Sequence, residues 1–381
     1  MTEKRLLPVV VVVLLAALVL VTGLWVVDRV SSTRGARTAT VNGAVETIEW
    51  KLVTTWPKGL PGLGSAPENF ARRVNAMAAG RLKVSVYGAG EIVPAFEVFD
   101  AVSQGVAQVG HGASYYWKGK IPAAVFFTAV PFGMTAQEMN GWLHYGGGLE
   151  LWRELYAPFG VVPYAGGSTG VQMAGWFNRE LKTADDLVGL KMRIPGLAGE
   201  VFDGAGGTAV RIAGGEVYTS MQTGVIDAVE WVGPYNDRTL GLHEVARYYY
   251  YPGWHEPGAM LEFIVNEEAL AELPEDLKAI VEVAARASNQ DMLDEFTARN
   301  NESLSSLMKE QDVQLRPLPD DVLKVLYDNS ELAMERLIAG DPMAARIAAS
   351  YREFAEDVRA YHQISERAYL NAREKVLPPR Q

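Results

Sequence analysis

The chain of 381 residues contains no cysteine. That absence excludes disulfides, thiol nucleophiles, thiolate metal sites and a lipid anchor on an N-terminal cysteine, so packing alone has to hold the fold. Histidine is scarce, five in all and scattered, which leaves a zinc or copper centre few ligands. Positive charge is also short: 35 Lys and Arg stand against 46 Asp and Glu, a net charge of −11. The first 44 residues carry five basic and two acidic side chains, so the remainder holds −14. Such an acidic body is unsuited to nucleic acid or to anionic lipid, and an anionic ligand has to be met by a local cation. The glycine clusters Gly204-Ala205-Gly206-Gly207 and Gly214-Gly215 form neither a P-loop nor a dinucleotide fingerprint and read as turns. No repeat of roughly 20 to 50 residues is present.

What the chain does have begins with one long apolar run, Leu6 to Val27, preceded by Lys4 and Arg5 and followed by Asp28 and Arg29. A signal peptide needs an apolar core of roughly 7 to 15 residues and a small-residue cleavage site, whereas a spanning helix needs about 20 apolar residues. The length favours a membrane anchor, while Ala39 or Ala44 offers a later cleavage point. Residues 1–30 are therefore read as a signal peptide or a membrane anchor. Both readings place the rest outside the cytoplasm, in the periplasm or tethered to the inner membrane. Residues 31–46, small and polar, read as a linker.

Folded structure is expected from Thr47. A strand at Ile48 to Thr55, an amphipathic helix at Ala66 to Ala79 stopped by Gly80, and an alternating strand at Leu82 to Tyr87 open a doubly wound α/β domain. A helix near Ala95 to Gln104, a strand at Ala107 to Gly110, and an aromatic loop at Ala113 to Lys120 follow. Met134 to Tyr156 reads as helix that Gly146-Gly147-Gly148 can break. A second α/β series starts at Val161, with strands at Gln172 to Phe177, Lys191 to Ile194 and Val225 to Val232, and a helix near Gly199 to Ala205. Tyr248 to Tyr251 and Met260 to Val265 read as strands. Helices are expected at Leu277 to Met308, Val322 to Ala339 and, unusually long, Ala345 to Glu374. Two lobes whose chain crosses more than once make a cleft with a hinge.

Within this frame, Val225-Ile226-Asp227-Ala228-Val229-Glu230-Trp231-Val232-Gly233-Pro234 puts a carboxylate on an apolar run broken by Gly-Pro, and a charge so placed needs a partner or a metal. Arg193 lies in Lys-Met-Arg-Ile-Pro-Gly, at a strand end. Its planar guanidinium can hold a carboxylate through two parallel hydrogen bonds; as a bland alternative it is a surface arginine paired with a nearby acid. Glu230, Glu256 and Gln172 offer oxygen ligands from three segments, which suits a hard cation. The competing reading pairs Glu230 with an arginine such as Arg238 and leaves Glu256 as a turn residue before Pro257. Of Tyr115 and Tyr116, one is expected to face the cleft. Trp56, Trp117, Trp176 and Phe177 are candidate apolar walls, and Tyr235, Asn236 and Asp237 candidate supports of the loop before them. Ser168 and Thr169 read as turn residues able to aid a carboxylate contact, and His255 as structural.

Taken together, Glu230-Trp231 with Gly233-Pro234, Met192-Arg193-Ile194-Pro195-Gly196, Ser168-Thr169-Gly170-Val171-Gln172 and Trp254-His255-Glu256-Pro257-Gly258 resemble the solute-binding subunit of TRAP transporters, the DctP-type family. Within it, the chain is similar to the branch that binds 2-oxo or 2-hydroxy monocarboxylates with a metal ion. The resemblance runs from about Thr47 to the C-terminus. It implies a two-lobed periplasmic-binding-protein fold of the type II-like kind, α/β with a hinge and a long C-terminal helix. The implied lobes are residues 47–165 plus about 259–305, and 166–258 plus about 306–381. The resemblance also implies that Arg193 holds the ligand carboxylate, and that Na+ or Ca2+ is held by Glu230, the Trp231 carbonyl, Glu256 and Gln172. Tyr115, Tyr116, Thr169 and the Trp231 indole line the pocket in this reading. The implied partners are a small carboxylate (pyruvate, a longer 2-oxo acid or lactate), the TRAP permease subunits and a second copy in a homodimer; nucleic acid is not among them. The runner-up is a metal-dependent lyase or hydrolase of an oxo acid, with Glu256 or His255 as base; a third reading is a tethered sensor.

Overall fold

A computed structural model of the chain describes Thr22, residues 47–309 and residues 313–377. The N-terminal apolar run, apart from Thr22, and the linker lie outside the described residues. Among the described residues no helix is long and apolar enough to cross a membrane.

Eleven strands occur among the described residues: β1 (Ile48–Thr54), β2 (Leu82–Tyr87), β3 (Val109–Gly112), β4 (Val161–Ser168), β5 (Gly175–Phe177), β6 (Lys191–Arg193), β7 (Thr208–Val210), β8 (Ala228–Val229), β9 (Tyr248–Tyr251), β10 (Met260–Asn266) and β11 (Gln314–Pro317). They form two sheets, ordered β2-β1-β3-β10-β4 and β11-β9-β5-β8-β6-β7. In the first, β1 runs parallel to β2 and β3, and β10 antiparallel to β3 and β4. In the second, β6 is parallel to β7 and β8, β5 is antiparallel to β8 and β9, and β11 is parallel to β9. The chain passes between sheets three times: from β4 to β5, from β9 to β10, and through helix Glu275–Leu307 to β11. Several crossings at one edge are what a hinge between two lobes requires.

The first sheet follows from strict alternation. Trp50 and Leu52 of β1 and Leu82 and Val84 of β2 share one buried face with Phe70, Ala71 and Val74 of helix Ser65–Met77 and with Leu277, Val281 and Ala284 of helix Glu275–Leu307. Chain reversal after the first of these helices uses Gly80 at φ +85°, a conformation open to glycine without steric cost. The expected helix over residues 134–156 is two, Ala136–Tyr145 and Gly148–Tyr156, the first opened by a Thr135–Glu138 capping box. The break falls at Gly146-Gly147, where Gly147 takes φ +82°. Gly148 must stay without a side chain, because a Cβ there would sit 2.7 Å from the Trp142 ring.

Four differences from the sequence reading stand out. The strand expected over residues 225–232 is only β8, and Gln172 precedes β5 in a loop; β7 and β11 were not expected. The long C-terminal helix is Pro342–Ile364, followed after Ser365 (φ −108°, ψ −100°) by a separate helix Glu366–Val376 that buries no residue. Helix Asp320–Ala339 packs on helix Gly196–Gly204, whereas helix Pro342–Ile364 packs on Pro122–Phe127 and on the two helices after Thr135. Tyr351 anchors that second packing, its hydroxyl accepting the Met134 N–H at 2.8 Å.

One buried acid ties the aromatic turn Ser114–Trp117 to the first sheet. Glu262, on β10 and fully buried, accepts the Trp117 indole N–H and the Tyr156 hydroxyl, the latter at 3.0 Å. Burial pushes its carboxyl up to about 8, against the two hydrogen bonds, which favour the charged form. The folded state therefore binds this proton more tightly than the unfolded chain does. The resulting stability is fully present below the ordinary value of 4.5 and is lost as pH rises toward about 8. Glu262→Gln, which keeps an acceptor for Trp117, is expected to flatten the decline of Tm between those two pH values, as followed by circular dichroism.

Candidate functional site

Arg193 is the last residue of β6, and the parallel register sets it beside Val229. Glu230, the next residue, donates its N–H to the Arg193 carbonyl at 3.2 Å. Chain direction then changes at Pro195-Gly196, and Gly196 at φ +72° lets the Tyr115 ring come within 3.0 Å of where a Cβ would be. Arg193 is 1 % exposed. Its Nη1 bonds the Glu230 carboxylate directly and the Glu230 carbonyl at 3.1 Å. Nε donates to the Ile212 carbonyl at 3.2 Å, and Nη2 donates to the Tyr116 hydroxyl at 3.3 Å. The guanidinium also lies 4.8 Å from the centre of the Trp231 ring. Burial is the largest influence and opposes its charge, but Glu230, Tyr116, Tyr115 and Glu256 together outweigh it and hold the guanidinium pKa above its ordinary value. The arginine partner of Glu230 is thus Arg193, not the exposed Arg238.

Glu230 is fully buried, and its second oxygen meets His255 Nε2 at 3.1 Å. Glu256 is 3 % exposed and accepts Gln172 Nε2 at 2.7 Å. The loops carrying these residues are locked together, with the Gln172 N–H on the Glu256 carbonyl at 3.2 Å and the Gly253 N–H on the Gln172 carbonyl at 2.9 Å. Gln172 Nε2 also reaches Thr169 Oγ1 at 3.1 Å. Its amide protons are thereby engaged, while the buried Gln172 Oε1 has no hydrogen-bond partner. Burial, together with the negative charge of Glu230, pushes the Glu256 carboxyl well above the ordinary carboxylate range; Tyr115, Arg193 and Gln172 pull the other way. Ligand atoms of Glu230, His255 and Glu256 lie within 4.8 Å of one another.

The opposite wall comes from the first sheet. Tyr115 and Tyr116 sit in the turn after β3, and both line the cavity rather than one. Trp56 follows β1 and stands edge-on to Trp231, ring centres 6.3 Å apart. Its indole N–H donates to His111 Nδ1 at 3.0 Å, and His111 Nε2 meets the Gly166 carbonyl at 3.1 Å. Burial pushes His111 down to about 4, consistent with a neutral ring that accepts at one nitrogen and donates at the other. Leu63, Val232 and Leu261 complete the apolar lining of a cavity of about 10 Å³, the size of one water-sized sphere.

Of the other expected wall residues, Trp117 turns to Glu262, Trp176 stacks on Tyr249 at 4.0 Å, and Phe177 packs edge-on against Tyr250. Asp237 does brace the loop: it accepts the N–H groups of Val232 and Gly233, the Trp176 indole and the Tyr249 hydroxyl, at 2.7 to 3.1 Å. Asn236 accepts the Trp231 indole at 3.2 Å and donates to the Pro61 carbonyl at 2.6 Å. Thr169 is tied into its own turn by a bond to the Gly170 carbonyl at 3.0 Å. Sequence reading missed Leu63, Val232 and Leu261, ordinary apolar residues with no distinguishing signal. His255, read as structural, is buried beside Glu230.

A buried cation, a carboxylate pair and an unpartnered amide oxygen, set in a cleft between two α/β lobes, define a solute receptor that closes on a small anionic ligand. The description of bacterial extracellular solute-binding proteins of family 7, DctP, matches residues 52–340, and the chain belongs to that family. Its members are solute receptors, which removes the lyase or hydrolase reading. Over 334 residues, 88 % of this chain and 91 % of the relative, the chain is 40 % identical to the monocarboxylate 2-oxoacid-binding periplasmic protein of Nostoc sp.. Its structure is similar to that of a TRAP periplasmic solute-binding protein from Colwellia psychrerythraea with bound calcium and pyruvate. That similarity has a TM-score of 0.84 and 43 % identity, over 86 % of this chain and 100 % of that one. A second, from Pseudoalteromonas atlantica with bound sodium and pyruvate, gives a TM-score of 0.83 and 42 % identity, over 86 % and 99 %.

Proposed function

We propose that this chain is the extracytoplasmic receptor of a TRAP-type transporter. In this reading it captures a small 2-oxo or 2-hydroxy monocarboxylate, pyruvate first among them, together with Ca2+ or Na+. The observation that carries the reading is the buried group of Arg193, Glu230, Glu256 and Gln172, in which Gln172 Oε1 has no hydrogen-bond partner. All-oxygen donors suit a hard cation, and the residues that would hold it are Glu230, Glu256, Gln172 and the Trp231 carbonyl. When bound, the ion would offset two buried negative charges and supply Lewis-acid attraction for the ligand's carboxylate and its 2-keto or 2-hydroxyl oxygen. Arg193 takes the ligand carboxylate, with Tyr116 fixing the guanidinium from the other lobe. Tyr115 and Thr169 border the same space, and the indoles of Trp56 and Trp231 exclude water from it.

The lobes in this reading are residues 47–165 with 259–305, and 166–258 with 306–381, with helix Pro342–Ile364 reaching back onto the first as a strap. Closure is driven only by the ligand's better affinity for the closed form. The N-terminal apolar run then serves as an export signal or an inner-membrane tether, and the closed lobes face the permease. Tyr369, Leu370 and Val376, exposed on the last helix, offer apolar contacts for a homodimer.

A thermal-shift panel in the presence of calcium tests the ligand class. Pyruvate, 2-oxobutyrate and lactate at about 100 times Kd are expected to stabilise the chain by about 2.7 kcal/mol, whereas acetate, lacking the second oxygen, stabilises it far less. No shift with any oxo or hydroxy acid would overturn the assignment.

A further inference from the structure

Two cations reach across the rim of the cleft in opposite directions. Lys118, at the end of the turn that carries Tyr115 and Tyr116, sends Nζ to Glu200 at 2.7 Å and to the Gly196 carbonyl at 3.1 Å. Both acceptors belong to helix Gly196–Gly204, just beyond Arg193. Arg211, just past β7, reaches the other way: Nη1 donates to the Tyr116 carbonyl at 3.0 Å, and the guanidinium lies 4.4 Å from the centre of the Phe96 ring. Phe96 in turn packs edge-on against Tyr116 at 5.0 Å. None of these four side chains lines the cavity. The Lys118 bonds to Glu200 and Gly196 and the Arg211 contacts with Tyr116 and Phe96 each join the first lobe to the second, so separation of the lobes breaks these four, while Phe96–Tyr116 stays within the first.

We infer that Lys118–Glu200 and Arg211–Phe96–Tyr116 form a two-part latch that exists only in the closed form and sets how long the ligand is held. The latch adds its own free energy to closure, and apparent affinity scales with the closed fraction. Its charged partners stay partly exposed, 28 % for Lys118 and 39 % for Glu200, so on opening they return to water at little cost. Each contact is therefore weak and readily released. The contacts form after encounter, so their loss speeds release more than it slows capture. Attraction between exposed charges is screened, and added salt loosens the grip.

The inference rests on the receptor reading above, and the test separates the two. The native chain has no cysteine, so spin labels on Val106→Cys and Val225→Cys, one exposed position per lobe, measure lobe separation in the full chain without competing thiols. Lys118→Met and Arg211→Met are each expected to shift the distance distribution toward the open form. Each should speed pyruvate release in calcium by about threefold to fivefold, and the double variant by about tenfold. Glu200→Gln, which leaves the Lys118 bond to the Gly196 carbonyl, should move both readouts in the same direction by less than Lys118→Met, and the swap Lys118→Glu with Glu200→Lys should restore part of each. Unchanged distance distributions in the double variant would overturn the latch. If the unsubstituted chain takes up no pyruvate, the ligand reading fails, and the distance distributions still decide the latch: a shift toward open upholds it and no shift overturns it.

Discussion

Arg193→Met is expected to raise the Kd for pyruvate by at least about 100-fold, because a hydrogen bond to a charged partner contributes about 1.5 to 3 kcal/mol and two such bonds are lost. The same substitution strips Glu230 of its guanidinium partner in a site where both side chains are all but inaccessible to water. Removing one member of a buried pair costs about 3 to 5 kcal/mol, so the urea midpoint should fall as well. The two losses can be told apart. Calcium supplies a replacement charge for Glu230, so it should restore much of the stability while leaving pyruvate binding absent. Arg193→Lys should fall between, since one ammonium cannot span Glu230, Ile212 and Tyr116 as the guanidinium does. A calorimetric titration beside urea unfolding, each with and without calcium, checks all three statements.

Glu256→Gln has the second large effect, in the opposite pattern. Glu256 and Glu230 are two buried acids that repel each other, and burial and that repulsion are what raise the Glu256 pKa. Neutralising Glu256 removes a penalty from the ion-free protein, whose stability should be unchanged or higher. Calcium loses one of its two anionic ligands, and its affinity should fall by at least about 100-fold, more than the 10- to 100-fold typical when a residue behind a ligand is changed. Pyruvate affinity measured in calcium should fall with it. Titration with calcium alone, followed by pyruvate, gives both numbers.

Much of the site could be read in the chain because its chemistry sits at breaks in local pattern. Glu230 interrupts an apolar run before Gly-Pro, and Arg193 precedes Pro195-Gly196, so each is marked by what surrounds it. The first sheet was legible for a related reason: β1 and β2 are long enough for alternation to show. In the second sheet β7, β8 and β11 have two to four residues, too few for a period of two to stand out from noise. The facing of both tyrosines was not legible, because a tight turn of about three residues per turn presents neighbours on different sides and only the opposing lobe decides which sides are lined. Ser365 breaks the C-terminal helix without a glycine or proline to announce it. His255 is a case of chemistry without context: a lone histidine next to a glutamate becomes part of the site only when the fold brings Glu230 to it.

The central claim is that ligand and ion are held together, and the most direct test is calorimetric titration of the full chain with pyruvate after chelation and dialysis. The titration is repeated in sodium-free buffer, in sodium and in calcium. The account predicts strong binding in the presence of at least one of the two ions and little or none when both are absent. Equal binding of pyruvate in all three buffers would contradict it.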